Sequence, residues 1–538
     1  MARTITADVP HSTKRISRIT SLARSEVPTL IEWSGSFSTA LLLILSFPNF
    51  DLWYLAWIGL LPVLFVVGRR PSPFRALILG LTFGTSFFYA SCYWLTYSMI
   101  HYGGLPGWLA YLLLLPAAMV VGIFPGLFLA ALAQLVKRFG LYAVLAAPFV
   151  WATSEWFRLG VTGQLWNALG YSQAYHPFLI QTARWGGVYM VSFLVVSVNA
   201  AIALMLLKRT WKAVVIGWLA VIAIALVVAI PSLRSAGDQP ASGTSGGYLN
   251  VVGVQPNVPM TPTKTAAETE ELLQRHIWIS VNGLRAFQDD HPRLVIWPES
   301  PMNFTYGSDS NLQNVIAQFV TNNHTSLLLN SLEQAPNNGG YNSAVLINEE
   351  GRAISQYDKI RLMPFGEYVP LPQWLGGSLI SGIVGDFTAG DKYTLMPIAG
   401  HRAGVFICIE SAYPSIARNL TRGGADFLIN ISNDGYLGPT AVMRQHLANA
   451  VFRAVENGRP LLRVTNSGIT AEISVDGTVH SPTQGFIAGG RIWSISDDIN
   501  RNTFYSAHGD VFVQLCTAVT LVLLIAIFIK ARRSLRTN

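Results

Sequence analysis

Five stretches of roughly 20 apolar residues, 75–98, 107–136, 186–207, 212–230 and 511–529, constrain this chain more than any other feature of it. About 20 helical residues cross a bilayer core some 30 Å thick, so each stretch reads as a membrane span. A shorter candidate covers 141–157. Two further pieces, 37–48 and 52–68, flank FPNFD, where Pro48 and Asp51 break the run into short helices. Together these predict eight spans. Composition agrees, because only 12% of residues are charged and 51% are hydrophobic, whereas charged residues make up about a quarter of an average soluble protein.

The basic residues give an orientation. They gather at Lys14, Arg15, Arg18 and Arg24, at Arg69, Arg70 and Arg75, at Lys137 and Arg138, at Lys208, Arg209 and Lys212, and at Lys530, Arg532, Arg533 and Arg536. With eight spans every cluster falls on one side, which the excess of Lys and Arg in short inner loops makes cytoplasmic. Both termini then lie inside, and the polar region between spans seven and eight lies outside. The net charge of +8 is therefore a topology signal. No recognisable module gathers it on one face for nucleic acid. The polar, basic first thirty residues lack an apolar core followed by a small-residue cleavage site, so no removable signal peptide is expected.

SLRSAGDQPASGTSGG, residues 232–247, has the composition of a flexible linker. The expected organisation is a membrane domain with seven spans over 1–231, this linker, a catalytic domain over 248–505, and a C-terminal span with a basic tail over 506–538. Within 248–505 short β-rich runs alternate with helix-like segments at 265–289, 311–323, 412–422 and 440–457, the pattern of a layered α/β sheet. Hairpin signals at NEEG and VDGT make part of that sheet antiparallel.

Of three cysteines, Cys92 and Cys516 fall in predicted spans, leaving Cys408 alone in the outer domain, so no disulfide can form within it. A cysteine ending an apolar run such as GVFICIES is more often packing than chemistry. Two other interruptions of apolar sequence change the balance, since buried charge is costly unless paired or used. LVIWPES ends on Glu299, and QYDKIRLMPFGEYVP carries Lys359 and Glu367. Singly, each acid or lysine reads equally well as a cap, an edge charge or an ion-pair partner. As a set, an acid, a lysine and a thiol at strand ends are the parts of thiol acyl transfer: a base for the thiol proton, a cation for the oxyanion and a nucleophile.

WPES, YDKIRLMPFGEYVP and GVFICIES, in this order and spacing, resemble the Glu, Lys and Cys motifs of the nitrilase, or carbon–nitrogen hydrolase, superfamily. With the spans on both sides, and with LGYSQ (169–173), QPNVP (255–259), SNDGYLG (432–438) and RPLLRVTNSGITAEISVDG (459–477), the chain resembles its membrane-embedded branch, the apolipoprotein N-acyltransferase family. The resemblance implies a polytopic α-helical protein of about eight spans carrying a nitrilase-like αββα sandwich on the periplasmic side of a bacterial inner membrane. The implied reaction moves an acyl chain from a phospholipid donor to the α-amino group of a diacylglyceryl apolipoprotein. It assigns Glu299 as general base, Lys359 as oxyanion stabiliser and Cys408 as nucleophile, with Glu367 and Glu410 in supporting positions. Tyr436, where family members commonly carry Trp, is the single candidate for substrate contact. Ile409 stands where they commonly carry Tyr.

GGSLISGIVG, 376–385, reads as a surface loop or as an apolar gate for acyl chains. The ten histidines show no paired spacing, so neither metal nor other cofactor is expected; His446, in a helix-like run, reads as structural. A membrane-tethered amidase for small amides would use the same three residues. A transporter with a ligand-binding outer domain ranks last, because the spans carry few ionisable residues beyond Glu155.

Overall fold

Thr29 starts the first described helix of the computed structural model: its hydroxyl accepts from Glu32 N–H while the Glu32 carboxylate accepts from Thr29 N–H at 2.7 Å, a capping box. Residues 27–237, 247–261, 263–336, 339–364, 366–368, 387–496 and 502–536 are described. The N-terminal basic cluster and GGSLISGIVG lie outside them.

FPNFD breaks the first run as expected, into α1 (Leu30–Ser46) and α2 (Trp53–Arg69). The stretch 75–98 is not one straight span: α3 (Pro73–Ser91) and α4 (Leu95–His101) meet at 52°. The break falls at SCYW, so Cys92 sits at a helix end rather than inside a span. Next come α5 (Gly107–Phe139), then α6 (Ala147–Thr162) behind a 3₁₀ turn at Leu141–Ala146. The bundle continues with α7 (Ala183–Lys208) and α8 (Trp211–Gly237). Among the described residues four helices, α5, α7, α8 and the C-terminal helix, are long and apolar enough to cross a membrane, or five if the bent pair counts as one span. The expected eight are thus met by four or five helices of full length, because breaks at FPNFD and SCYW and the 3₁₀ turn leave the remaining apolar helices short.

Helices α3 and α5 pack through glycines spaced four apart. A Cβ on Gly80 would stand 2.5 Å from the Pro125 carbonyl oxygen, and one on Gly122 would stand 2.5 Å from Thr85 Oγ1. Such small-residue faces let membrane helices approach closely where lipid offers no hydrophobic drive.

The outer domain opens with β1 (Gly247–Gln255), α9 (Ala266–Leu284), β2 (Arg293–Ile296), α10 (Ser310–Asn323), β3 (Ser326–Gln334), β4 (Gly340–Ile347) and β5 (Ala353–Asp358). Then follow β6 (Leu395–Ile398), β7 (His401–Ile407), α11 (Pro414–Arg422), β8 (Phe427–Ser432), α12 (Val442–Asn457), β9 (Leu461–Thr465), β10 (Ala471–Ile473), β11 (Val479–His480) and β12 (Gly489–Ser496). Short α13 (Phe504–His508) leads into the C-terminal span α14 (Val511–Arg536). Among the described residues the strands form two six-stranded sheets, ordered β12-β1-β2-β3-β4-β5 and β11-β10-β9-β8-β7-β6.

Alternation along the strands sorts the side chains into layers. Leu249 and Val251 of β1 meet Val405, Ile407, Ile429 and Ile431 between the sheets. Val252 and Val254 turn outward onto Leu272, Ile279, Ile316 and Phe319 of α9 and α10. On the far face, Phe406 and Leu428 join α11, α12 and the membrane helices in one continuous core. This is the αββα sandwich the resemblance implies. Its second helix layer rests directly on the bundle.

Candidate active site

One end of the sandwich collects Glu299 and Cys408, which stand 109 residues apart in sequence, and the lysine between them. The parallel strands β2, β7 and β8 end there, as does β5, and a side chain just past a strand end is free to point at its neighbours rather than into the core. Lys359 follows β5 directly, and its backbone N–H donates to the Asn342 carbonyl at 2.9 Å. Its Nζ donates to Glu367 Oε1 at 2.9 Å and lies 3.4 Å from Glu299 Oε1. Asn342 of β4 ties the acids together, its Nδ2 donating to Glu299 Oε1 at 2.9 Å and to Glu367 Oε1 at 2.8 Å. Two of the three ammonium N–H groups are therefore engaged, leaving one for a developing oxyanion.

Burial opposes the charge on Lys359, yet the Glu299 and Glu367 carboxylates outweigh it and hold the ammonium well above the usual lysine range. The opposite holds for Cys408. Burial raises the thiol pKa above its ordinary value, Glu299 adds to this, and Lys359 only partly counteracts it. A resting thiol beside a carboxylate needs that carboxylate as its base before it can attack.

Cys408 itself adopts φ 53°, the left-handed region that non-glycine residues rarely occupy and that recurs where function holds the backbone strained. It stands between β7 and a 3₁₀ turn over Cys408–Ala412. Glu410 secures this turn from behind. Fully buried, its carboxylate accepts from Ile407 N–H at 2.7 Å, Ile360 N–H at 2.8 Å, Arg361 N–H at 3.0 Å and the Tyr357 hydroxyl at 2.9 Å. Burial lifts its pKa to about 7 against the pull of those donors. Glu410 thus links the loop that carries Lys359 to the turn that carries Cys408.

His446, read from sequence as structural, lies in the site. Its Nε2 is 3.0 Å from the Cys408 carbonyl oxygen and its Nδ1 is 2.7 Å from Asp434 Oδ1. Arg463 Nη2 in turn donates to Asp434 Oδ2 at 3.0 Å. Burial works against charge on Asp434, but Arg463 and His446 hold its pKa below the usual value. Asn342, Asp434 and Arg463 were not assigned roles from sequence. For Asp434 and Arg463 the available signal was their position inside SNDGYLG and RPLLRV; Asn342, within β4, and His446, within α12, carried none.

Tyr436 lies at the rim, 49% exposed. Its ring meets Tyr102 edge-on at 5.7 Å, and its carbonyl accepts from the Ser98 hydroxyl at 2.6 Å. Burial and then the Glu299 carboxylate raise its phenol pKa. Behind it, Gln445 reaches into the bundle. Its Nε2 donates to the Ser91 carbonyl at 3.0 Å and the Pro48 carbonyl at 3.2 Å, while its Oε1 accepts from the Trp94 and Trp166 indoles, each at 3.0 Å.

Sandwich and cluster together define a membrane-anchored protein of the carbon–nitrogen hydrolase class. The carbon-nitrogen hydrolase family model matches residues 251–495, and that of the apolipoprotein N-acyltransferase N-terminal domain matches residues 39–201. An apolipoprotein N-acyltransferase of Geobacter metallireducens is 30% identical over 492 residues, covering 89% of this chain and 92% of the relative. That of Rhizobium rhizogenes is 30% identical over 461 residues, covering 81% and 84%. The chain belongs to the apolipoprotein N-acyltransferase family. Among solved structures, an amidase from Nesterenkonia sp. aligns at 16% identity and TM-score 0.36 over 48% of this chain and 95% of its own. Nit3 of Saccharomyces cerevisiae aligns at 19% and 0.34 over 47% and 91%.

Proposed function

We propose that this protein transfers an acyl chain from a phospholipid to the α-amino group of the N-terminal diacylglyceryl-cysteine of apolipoproteins, through a thioester on Cys408. Its membership of the family carries this reading, and the arrangement of Glu299, Lys359 and Cys408 supports the chemistry. Glu299 takes the thiol proton and the thiolate attacks the ester carbonyl of the phospholipid. Lys359 faces the resulting oxyanion. Collapse breaks the acyl C–O bond, and Glu299 returns the proton to the departing lysophospholipid alkoxide. The neutral α-amine then attacks the thioester, giving its proton to Glu299. The C–S bond breaks, the amide forms, and Glu299 reprotonates the thiolate. Glu367 and Asn342 orient Lys359 and Glu299, Glu410 holds the turn, and Tyr436 contacts the lipid at the rim.

In the accompanying topology the bundle over 1–231 and the span in 506–538 make eight crossings of a bacterial inner membrane. Both termini are cytoplasmic, and the domain over 248–505 is periplasmic. The decisive test is incubation of purified protein with phospholipid and no acceptor. One acyl mass should appear on the peptide containing Cys408 and be removed by neutral hydroxylamine, and a diacylated lipopeptide should then take it up. Release of ammonia from simple amides without any lipid adduct would instead support the tethered amidase.

A further inference from the structure

A second polar cleft lies at the opposite end of the parallel strands. Arg402 at the start of β7, Asp426 just before β8 and Arg459 just before β9 line it with Arg422, Asn502 and Ser506, and its volume is about 310 Å³, within the range of about 300–1,000 Å³ for small-molecule clefts. Cys408 is six residues along β7 from Arg402, about 20 Å away at the rise of a strand. The cleft is therefore separate from the active site.

Its charge is unbalanced. Three guanidinium groups meet one lining carboxylate, Asp426, which already accepts from the Arg402 N–H at 2.9 Å and lies 3.9 Å from His401 Nδ1. Arg459 is buried and fixed, its Nε donating to the Ala425 carbonyl at 2.7 Å and its Nη2 to Asn502 Oδ1 at 2.9 Å. Arg402 and Arg422 are exposed above it. A cation in the last turn of α11 complements the helix dipole, which accounts for Arg422 alone but not for three arginines converging on one cleft.

The surroundings place the cleft at the membrane surface. Ser506 and Ala507 of α13 line it, and the chain enters α14 at Val511. Beside α13 two large rings are exposed: Trp185, near the start of α7, at 52%, and Phe504, at 40%. They stack at 6.0 Å, and His508 stacks on Phe504 at 4.2 Å. Exposed aromatic rings at the ends of apolar helices sit at headgroup level.

We propose that this cleft binds the phosphodiester headgroup of an anionic phospholipid, distinct from any lipid at Cys408. Arginine forks match phosphate oxygens bidentately, and basic pockets beside membrane helices take anionic headgroups. The proposal rests on the bundle lying in the membrane and not on the chemistry at Cys408, so either reading can fail alone.

Native mass spectrometry of the full-length protein, released from detergent mixed with phosphatidylglycerol or phosphatidylcholine, tests it. Wild type should retain one phosphatidylglycerol more than phosphatidylcholine. Arg402→Gln/Arg422→Gln should lose that molecule at least fivefold, while Arg352→Gln, an exposed arginine on the turn between β4 and β5, should keep it. Equal retention by the double variant and wild type overturns the proposal, as does equal loss in the Arg352→Gln control, which would mark general surface charge. Thermal melts with inorganic phosphate provide the other arm. If phosphate stabilises wild type but not the double variant while lipid retention is the same in both, the cleft takes a free anion and the headgroup assignment is wrong.

Discussion

Removing the charge of Glu299 separates two effects that the carboxylate has on Cys408. The same charge that accepts the thiol proton also raises the thiol pKa. Glu299→Gln should therefore shift the midpoint of iodoacetamide alkylation at Cys408 to lower pH, yet cut acylation by phospholipid about 10²-fold or more, the usual contribution of a general base. Lys359→Ala should move the midpoint upward and cost about 2.7–4 kcal/mol of transition-state stabilisation, as loss of an oxyanion donor does elsewhere. Unchanged acylation in Glu299→Gln would remove it as the base. A different expectation applies to His446, which meets Cys408 at the backbone carbonyl rather than the thiol. Losing a buried hydrogen bond costs about 1–3 kcal/mol, so His446→Ala should slow acylation tenfold or more with KM for phospholipid nearly unchanged. A shift in KM alone would show that it does not position the nucleophile.

At the scale of elements, α12 joins the two halves. It is buried on nearly all sides, which for a helix carrying Arg453, Glu456 and Gln445 demands a partner for every polar group. Gln445 also solves a problem in the bundle. The α3–α4 break frees the Ser91 carbonyl inside the packed protein, where an unpaired polar group is costly, and the Gln445 amide satisfies it instead. Gln445→Leu strands two carbonyls and two indole N–H groups. At about 1–3 kcal/mol for each group left unpaired, the variant should melt several degrees below wild type in detergent, as followed by tryptophan fluorescence. A melting temperature equal to that of wild type would mean that the break satisfies itself.

For the whole molecule, orientation and pH dependence are the measurable properties. A membrane-impermeant thiol reagent applied to intact spheroplasts should label Arg352→Cys and spare Arg70→Cys, Arg209→Cys and Arg532→Cys. Labelling of Arg209→Cys together with Arg352→Cys would break the eight-crossing topology. Burial, opposed by Arg453 and the Val188 N–H, raises the Glu456 pKa to about 7. A carboxyl raised on folding contributes stability that is full below its unfolded pKa and lost as pH rises through its folded one. Thermal stability should accordingly fall between pH 5 and pH 8, by on the order of 1–3 kcal/mol for this group. Glu456→Gln, which keeps an oxygen for Val188 N–H, should flatten that slope; an unchanged slope would assign it to other groups.

Apolar length and turn chemistry are local, so the chain alone determined that apolar helices dominate its first part, that FPNFD interrupts them, and that a layered α/β domain follows. Costly charge in apolar sequence singled out Glu299, Lys359 and Glu367 for the same reason: burial is legible when it is paradoxical. What remained invisible was decided by packing between distant segments. His446 looks like any helical histidine until α12 places it against the Cys408 carbonyl, 38 residues away. The bend at SCYW has no proline to announce it; Gln445, 354 residues from Ser91, takes up the freed carbonyl. Arg402, Arg422 and Arg459 converge only because the parallel register of β7, β8 and β9 aligns their N-terminal ends. Sequence carries the energetic cost of each buried group, but only the tertiary structure supplies the partner that offsets it.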